Sequence, residues 1–294
     1  MEPRNDSTGH GDGLGRSAHT ARTASRCPSL AKAMRVKTVA FKDIIVEQGG
    51  NIARISINRP KTLNAFTDQT VQELFEAIMA AGSDRNIGVI VLGGTGDRAF
   101  CVGRDNRELS DGSSMPVDYL YSAIRDVPQP VIARVQGYAI GGGNVLSLLC
   151  DLTIASERAV FGQVGPRVGA VDPGWGTALL AHTIGEKKAR EMWYLCKRYS
   201  AQEALNMGLC NAVVPHEQLD QEIDNWSQEI LKASPSALTI AKRSFNAATE
   251  QMRGQAMLGK QAVHFFRETD ESKEGTRAFL EKRSPNFRGP PNSS

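Results

Sequence analysis

Gln136-Gly137-Tyr138-Ala139-Ile140-Gly141-Gly142-Gly143-Asn144-Val145-Leu146 is the stretch on which the fold turns. An apolar run, Val131–Val135, enters it, a glycine triplet breaks it, and an apolar-periodic segment leaves it, so it reads as strand, tight turn, helix. Gly141 to Gly143 permit positive φ and let the backbone approach a ligand closely. The first N–H groups of the new helix have no partners within it and point at whatever lies there. The expectation is an anion or oxyanion site, the alternative being a turn whose glycines serve packing only.

Working outward, strand and helix patterns alternate before this stretch and just after it, which implies an α/β core. Upstream, Thr38–Val46 and Ile52–Ile57 flank Gly49-Gly50-Asn51, a hairpin signal. Val71, Leu74, Phe75 and Ile78 follow the candidate cap Thr67 at helical spacing. Ile87–Leu92 is a continuous apolar run, as in a strand buried on both faces. Gly94-x-Gly96-x-x-Ala99 nearly spells a dinucleotide fingerprint, but no long helical pattern follows and no acidic residue closes a second strand some 20 residues on. Instead, residues 100–116 form an irregular polar region, expected to be a mobile loop over a site.

Downstream come Leu152–Ala155 and Val160–Phe161 as strands, then nearly all helix from Gly176 onward. Ser200-Ala201-Gln202-Glu203 is a capping box, Leu219, Ile223, Trp226 and Ile230 share a helix face, and Ser234-Pro235 opens a further helix. Two more are expected at about 254–267 and 270–283. The expected organisation is a tail over 1–37, a core over 38–233 and a helical region over 234–294.

With 294 residues and 40% apolar content the chain can bury a substantial core. The net charge of +3 is concentrated in residues 1–38, where seven Lys/Arg face three acids, leaving the body at −1. A nucleic-acid binder would carry its basic excess in the folded part, so nucleic acid is not an expected partner. Residues 1–37 read as a disordered tail or as a stretch ahead of a start at Met34; from Arg16 to Lys37 they have a transit-peptide-like composition. Five widely spaced cysteines in mostly apolar segments suggest free thiols in a reducing compartment, with neither disulfide frame nor metal site. No apolar run reaches the roughly 18–20 residues of a membrane span, and the expected location is cytoplasmic.

From Asn58 to Arg283 the chain resembles the crotonase superfamily, the enoyl-CoA hydratase/isomerase fold. The resemblance is carried by Asn58-Arg59-Pro60-x-x-x-Asn64-Ala65, Ala99-Phe100-Cys101-x-Gly103-x-Asp105, Gly141-Gly142-Gly143 and Phe161-Gly162-Gln163. It implies a spiral ββα core with a helical C-terminal trimerisation region, and a homotrimer or homohexamer. The implied substrate is an acyl-coenzyme A thioester, with coenzyme A part of the substrate and no separate cofactor. By position, the backbone N–H groups of Arg104 and Gly142 would hold the thioester oxygen. Such donors stabilise an enolate, and losing one costs about 10²–10³ in rate. Relatives usually place a small residue where Arg104 stands.

Other departures narrow the chemistry. Typical hydratases carry glutamates where this chain has Val145 and Gly165, so simple water addition to an enoyl bond lacks an evident acid or base. Gly162-Gln163-x-Gly165-Pro166, Val171-Asp172-Pro173-Gly174-Trp175-Gly176, Gly185-Glu186-Lys187-Lys188-Ala189-Arg190-Glu191 and Cys196-Lys197-Arg198-Tyr199-Ser200 resemble two subgroups. One is the 2-ketocyclohexanecarboxyl-CoA hydrolases, which open a ring to give pimeloyl-CoA; the other is the 1,4-dihydroxy-2-naphthoyl-CoA synthases, which close one. Both pass through a thioester enolate. Ring opening is the expected activity; the alternatives are synthase-type closure and a hydratase or isomerase of unknown acyl specificity. A crotonase fold kept only as an acyl-CoA or RNA-binding module is the reading from a different class.

The resemblance assigns residues as follows. Asp172 is the expected base, beside apolar Val171 and Trp175 whose desolvation would raise its pKa, although a turn Asp is ordinarily a cap. Tyr138 is an expected donor to a substrate oxygen, or else a buried Tyr bonded to backbone. Gln163 and Gly165 line a small-anion or water position in the synthases. Lys61, Leu63 and Lys282 match positions that hold the coenzyme A nucleotide, the lysines as phosphate partners, and Gly141 and Trp193 complete the substrate wall. Arg267 stands where the synthases use a Tyr from the neighbouring subunit. His182, among Leu179, Leu180 and Ile184, is expected in the core, and no Gly-x-Ser-x-Gly elbow accompanies it.

Overall fold

The computed structural model describes residues 41–105, 107 and 115–289. The expected tail over 1–37 and most of the expected loop over the site lie outside them.

The chain opens with an antiparallel hairpin, β1 (Ile44–Gly49) and β2 (Ile52–Ile57), whose corner Gly50 and Asn51 have φ of 58° and 66°. Two consecutive left-handed residues match the twist of the flanking strands, which is why Gly-Asn sits there. The first strand begins at Ile44, and residues 38–40 of the expected strand lie outside the described residues. Thr67 then caps α1 (Asp68–Ser83), its hydroxyl accepting from the Thr70 N–H, and Val71, Leu74 and Ile78 are buried beneath it.

Next come β3 (Val89–Gly94), β4 (Ala99–Cys101) and α2 (Val117–Asp126), then β5 (Val131–Val135), β6 (Tyr138–Ile140) and α3 (Gly142–Leu149), then β7 (Leu152–Ser156) and β8 (Val160–Gly162). The long strands build a large sheet in which β1-β2-β3-β5-β7 are successive neighbours, and the short strands build a second sheet in which β4-β6-β8 are successive neighbours. Strand, strand, helix thus repeats three times from β1 to α3, which is the spiral ββα core that the resemblance implies. All pairings within it are parallel except the opening hairpin. β3 explains the continuous apolar run: Ile90 and Leu92 join the main core, while Val89 and Val91 pack on the other face with Leu219 and Ile223.

The segment after Gly176 holds more than helix. A π-helical turn (Trp175–Leu179), α4 (Leu180–Ile184) and α5 (Glu186–Leu195) lead to β9 (Arg198–Ser200), α6 (Ala201–Asn206) and β10 (Ala212–Val214). β9 pairs antiparallel with β8, and β10 closes the large sheet beside β7. Three-residue strands carry no legible period; their partners define them. His182 is exposed on the five-residue α4 and is not a core residue.

Four helices follow: α7 (Leu219–Leu231), α8 (Pro235–Ala247), α9 (Gln251–Arg267) and α10 (Asp270–Leu280). α8 is anchored by Lys242, whose buried Nζ donates to the Ile124 and Gln129 carbonyls (3.0 and 2.9 Å) and pairs with Asp151 (2.7 Å). α9 lies on the π-helical turn so closely that a β-carbon on Gly174 would fall 2.6 Å from the Ala256 Cα. α10 is tied by the Ser272 hydroxyl, which donates to the Gly169 carbonyl at 2.8 Å. The last two helices are thereby drawn across the C-terminal ends of the small sheet.

Candidate active site

The site is built where β4 and β6 deliver their ends side by side. The Ala99 carbonyl at the start of β4 accepts from both Asn64 Nδ2 and Gln136 Nε2, each at 2.7 Å. Asn64 is buried with φ of 56°, and its Oδ1 accepts from the Arg59 N–H at 3.0 Å. These bonds account for the Asn58-to-Ala65 motif: it clamps the entry of the strand that leads to Arg104. Asp105 continues the clamp, its buried carboxylate held below the ordinary range chiefly by the hydrogen bond from Arg107 and paired also with Arg59 at 3.6 Å.

Arg104 forms an isolated parallel bridge with Phe66. The bridge uses the Gly103 carbonyl and the Asp105 N–H, both at 2.9 Å, so the Arg104 N–H points away from Phe66. Gly141 has φ of 57° and ψ of −123°, which starts α3 with the Gly142 N–H outside the helix ladder. Among the described residues, no backbone carbonyl accepts either N–H. The two segments touch, since a β-carbon on Gly103 would lie 2.9 Å from the Gly142 nitrogen. Two donors therefore meet at one place in the cavity wall. The Arg104 side chain turns to Asp68, 2.5 Å from its Oδ1, which leaves the backbone donor free of a competing internal anion.

The cavity has a volume of about 1110 Å³ and is lined by residues from the segment just after β4, α2, β6, α3, the 165–173 region, α9 and the C-terminal end of α10. It brings together nearly every residue singled out in the sequence: Leu63, Arg104, Tyr138, Gly141, Gly142, Gln163, Gly165, Asp172, Trp193, Arg267 and Lys282 all line it. Lys61 does not; it is exposed on the 3-10 turn Pro60–Thr62 and outside the lining. The turn's single residue of separation from Leu63 sends the lysine outward. Arg267 reaches the cavity of its own chain, carried there by α9.

Asp172 is half-buried, and its Oδ1 accepts from the Gly176 N–H at 3.0 Å. Burial pushes its pKa up to about 6, with the Gly176 bond opposing and the charge of Asp118 adding to the rise. Asp118, the other carboxylate of the lining, is paired with Lys260 at 2.8 Å, so Asp172 is the lining carboxylate without a basic partner among the described residues. Tyr138 is half-buried, with the Arg198 guanidinium 5.8 Å from its ring centre. Gln163 is 1% exposed and its Nε2 has no hydrogen-bond acceptor. Trp193 donates its indole N–H to the Gly176 carbonyl at 2.6 Å, which fixes the wall beside Gly165.

Val145 is wholly buried in α3, and Gly165 has no room for a side chain, since a β-carbon would lie 2.5 Å from the Ala170 carbonyl oxygen and 2.9 Å from Trp193. No carboxylate can stand at either place without rebuilding the wall. Among the wall residues that escaped sequence reading is Tyr121 on α2. Val117, Leu120, Tyr121 and Ile124 do have helical spacing, and that was the available signal. The lining also holds eight Lys/Arg against two Asp, a field suited to a polyanionic ligand. Among the described residues there is no group of three or more His, Cys, Asp or Glu able to hold a metal, and no helix long and apolar enough to cross a membrane.

Comparison with known proteins gives the same direction. Residues 47–290 match the family model described as Enoyl-CoA hydratase/isomerase. An enoyl-CoA hydratase from Mycobacterium avium subsp. paratuberculosis K-10 is 30% identical, with a TM-score of 0.77 over 85% of this chain and 100% of its own. An enoyl-CoA hydratase/isomerase from Pseudoalteromonas atlantica T6c gives 27% identity and a TM-score of 0.78, covering 84% and 100%. A carnitinyl-CoA hydratase from Mycobacterium avium gives 28% and 0.76, covering 85% and 99%.

Proposed function

This chain belongs to the enoyl-CoA hydratase/isomerase family, the crotonase superfamily of coenzyme A thioester enzymes, and from that premise we propose that it opens a β-keto ring, converting 2-ketocyclohexanecarboxyl-CoA and water to pimeloyl-CoA. The observation that carries this reading is Asp172, a carboxylate poised near pH 6 with no basic partner among the described residues, in the same cavity as the N–H groups of Arg104 and Gly142.

In this reaction Asp172 takes a proton from water as the oxygen adds to the ring ketone. The tetrahedral alkoxide collapses, the bond between the ketone carbon and the α-carbon breaks, and the electron pair passes to the thioester as an enolate. The Arg104 and Gly142 N–H groups stabilise the oxygen on which that charge develops. The α-carbon then recovers a proton from Asp172, and the second proton of the water is lost from the new carboxyl to solvent. The absence of a carboxylate at Val145 and Gly165 speaks against enoyl hydration by the usual pair of glutamates. Arg267 in place of a tyrosine speaks against ring closure. Basic residues of the lining, Lys282 among them, suit the nucleotide phosphates.

The test is a panel of 2-ketocyclohexanecarboxyl-CoA, o-succinylbenzoyl-CoA and crotonyl-CoA with products read by mass spectrometry. The proposal expects pimeloyl-CoA from the first and little from the others. Turnover of o-succinylbenzoyl-CoA or crotonyl-CoA alone would replace it with a synthase or a hydratase.

A further inference from the structure

α2 presents two faces. Leu120, Ala123 and Ile124 are buried in the core, whereas Val117, Asp118 and Tyr121 line the cavity. Asp118 is paired with Lys260, but Tyr121 is different: it is 3% exposed and lines the cavity, and among the described residues no hydrogen bond engages its phenol. A tyrosine buried to that degree ordinarily has a partner for its hydroxyl. Here the partner's place is in the cavity. Tyr121 shares this cavity wall with the expected base, Asp172, and with Arg104 and Gly142.

We propose that Tyr121 is the hydrogen-bond donor to a second substrate oxygen, the one on the β-carbon of the acyl group, so that the cavity selects β-oxygenated acyl thioesters. The inference deepens the reading above and rests on it for the reaction that follows binding. Two N–H groups already serve the thioester oxygen. A β-keto group brings a second oxygen into the same desolvated space, and leaving it unpaired would cost affinity. Val117, Ile140 and Val263 offer no donor and the Arg104 guanidinium is engaged with Asp68, while the other uncharged side-chain donors of the lining include Tyr138 and Gln163. Burial, and after it the charge of Asp172, holds the phenol pKa well above its ordinary value. Tyr121 therefore remains a proton donor at neutral pH, where Asp172 is ionised. When water adds to the ketone, the β-oxygen becomes an alkoxide and the same hydrogen bond becomes charge-assisted.

The experiment compares Tyr121→Phe with the parent by calorimetric titration with two non-cyclic probes. Acetoacetyl-CoA carries a β-oxygen, and butyryl-CoA does not. Deleting the hydroxyl should weaken acetoacetyl-CoA by about tenfold, the scale of one hydrogen bond, and leave butyryl-CoA nearly unchanged. Turnover of 2-ketocyclohexanecarboxyl-CoA by the variant should fall by about 10²-fold, mostly in kcat. Equal weakening of both probes, or none for acetoacetyl-CoA, overturns the assignment, as does a parent that binds butyryl-CoA as tightly as acetoacetyl-CoA. A parent that binds the probes as expected but leaves the ring intact keeps the β-oxygen site and removes the ring-opening reading instead.

Discussion

Gly143 of α3 packs directly on Cys101 of β4: a β-carbon on Gly143 would lie 2.5 Å from the Cys101 carbonyl carbon and 2.9 Å from its Cβ. This contact joins the two segments that end in the Arg104 and Gly142 N–H groups. The third glycine of the triplet is therefore a spacer that sets the separation of the two donors, while Gly141 supplies the turn.

Gly143→Ala forces β4 and α3 apart in a region of fully buried residues. Overpacking of this kind costs about 1–3 kcal/mol. Because the displacement falls on the donors, turnover should drop by about 10² or more even in protein that remains folded. Parallel melting curves and single-turnover rates check this; a folded variant with parental turnover would mean that the donors are positioned by something else.

Asp172→Asn separates stability from activity. The folded pKa of about 6 stands above the ordinary aspartate value of 3.8, so the folded state binds this proton more tightly than the unfolded one. Its contribution is fully present below about pH 4, declines between about pH 4 and 6, and is absent above. The uncharged Asn escapes that loss. At pH 8 the variant should be more stable than the parent by about 1–2 kcal/mol, and the gap should close at pH 4. Turnover should fall by about 10² or more, and the parental rate should rise with pH through about 6. Denaturant curves at the two pH values, beside a pH–rate profile, decide it. A variant less stable than the parent at pH 8 would make Asp172 a structural turn residue held by Gly176.

Much of this site was legible because its determinants are local. The glycine triplet between apolar runs announced strand, turn and helix, and Thr67 and Ser200 announced their helices through capping. Asp172, by contrast, has nothing local that marks it as more than a turn residue, and only the likeness of its surroundings to known subgroups singled it out. Tyr121 shows the opposite failure: its helical spacing was present, but whether its hydroxyl meets a partner or an empty cavity depends on α9 and the 165–173 region, far off in the chain. Lys61 stands outside the lining while Leu63, two residues on, is in it, because position within a 3-10 turn decides which way a side chain faces. β9 and β10 were missed because a strand of three residues is defined by its neighbour.

Lys242 supplies a test of how the helical part is fixed to the core. Its ammonium satisfies the Ile124 and Gln129 carbonyls and Asp151 at once. Lys242→Met retains the aliphatic volume but strands those acceptors, which should cost about 3 kcal/mol in urea unfolding. A loss below about 1 kcal/mol would show that water replaces the ammonium and that α8 is held by its apolar contacts.

The most direct measurement is the fate of 2-ketocyclohexanecarboxyl-CoA incubated with the parent protein in water enriched in heavy oxygen, followed by mass spectrometry of the thioester. Water attack on the ring ketone with Asp172 as base requires pimeloyl-CoA bearing one heavy oxygen in its free carboxylate and none in the thioester. Unchanged substrate at high enzyme concentration, or free coenzyme A with the ring still closed, would contradict it.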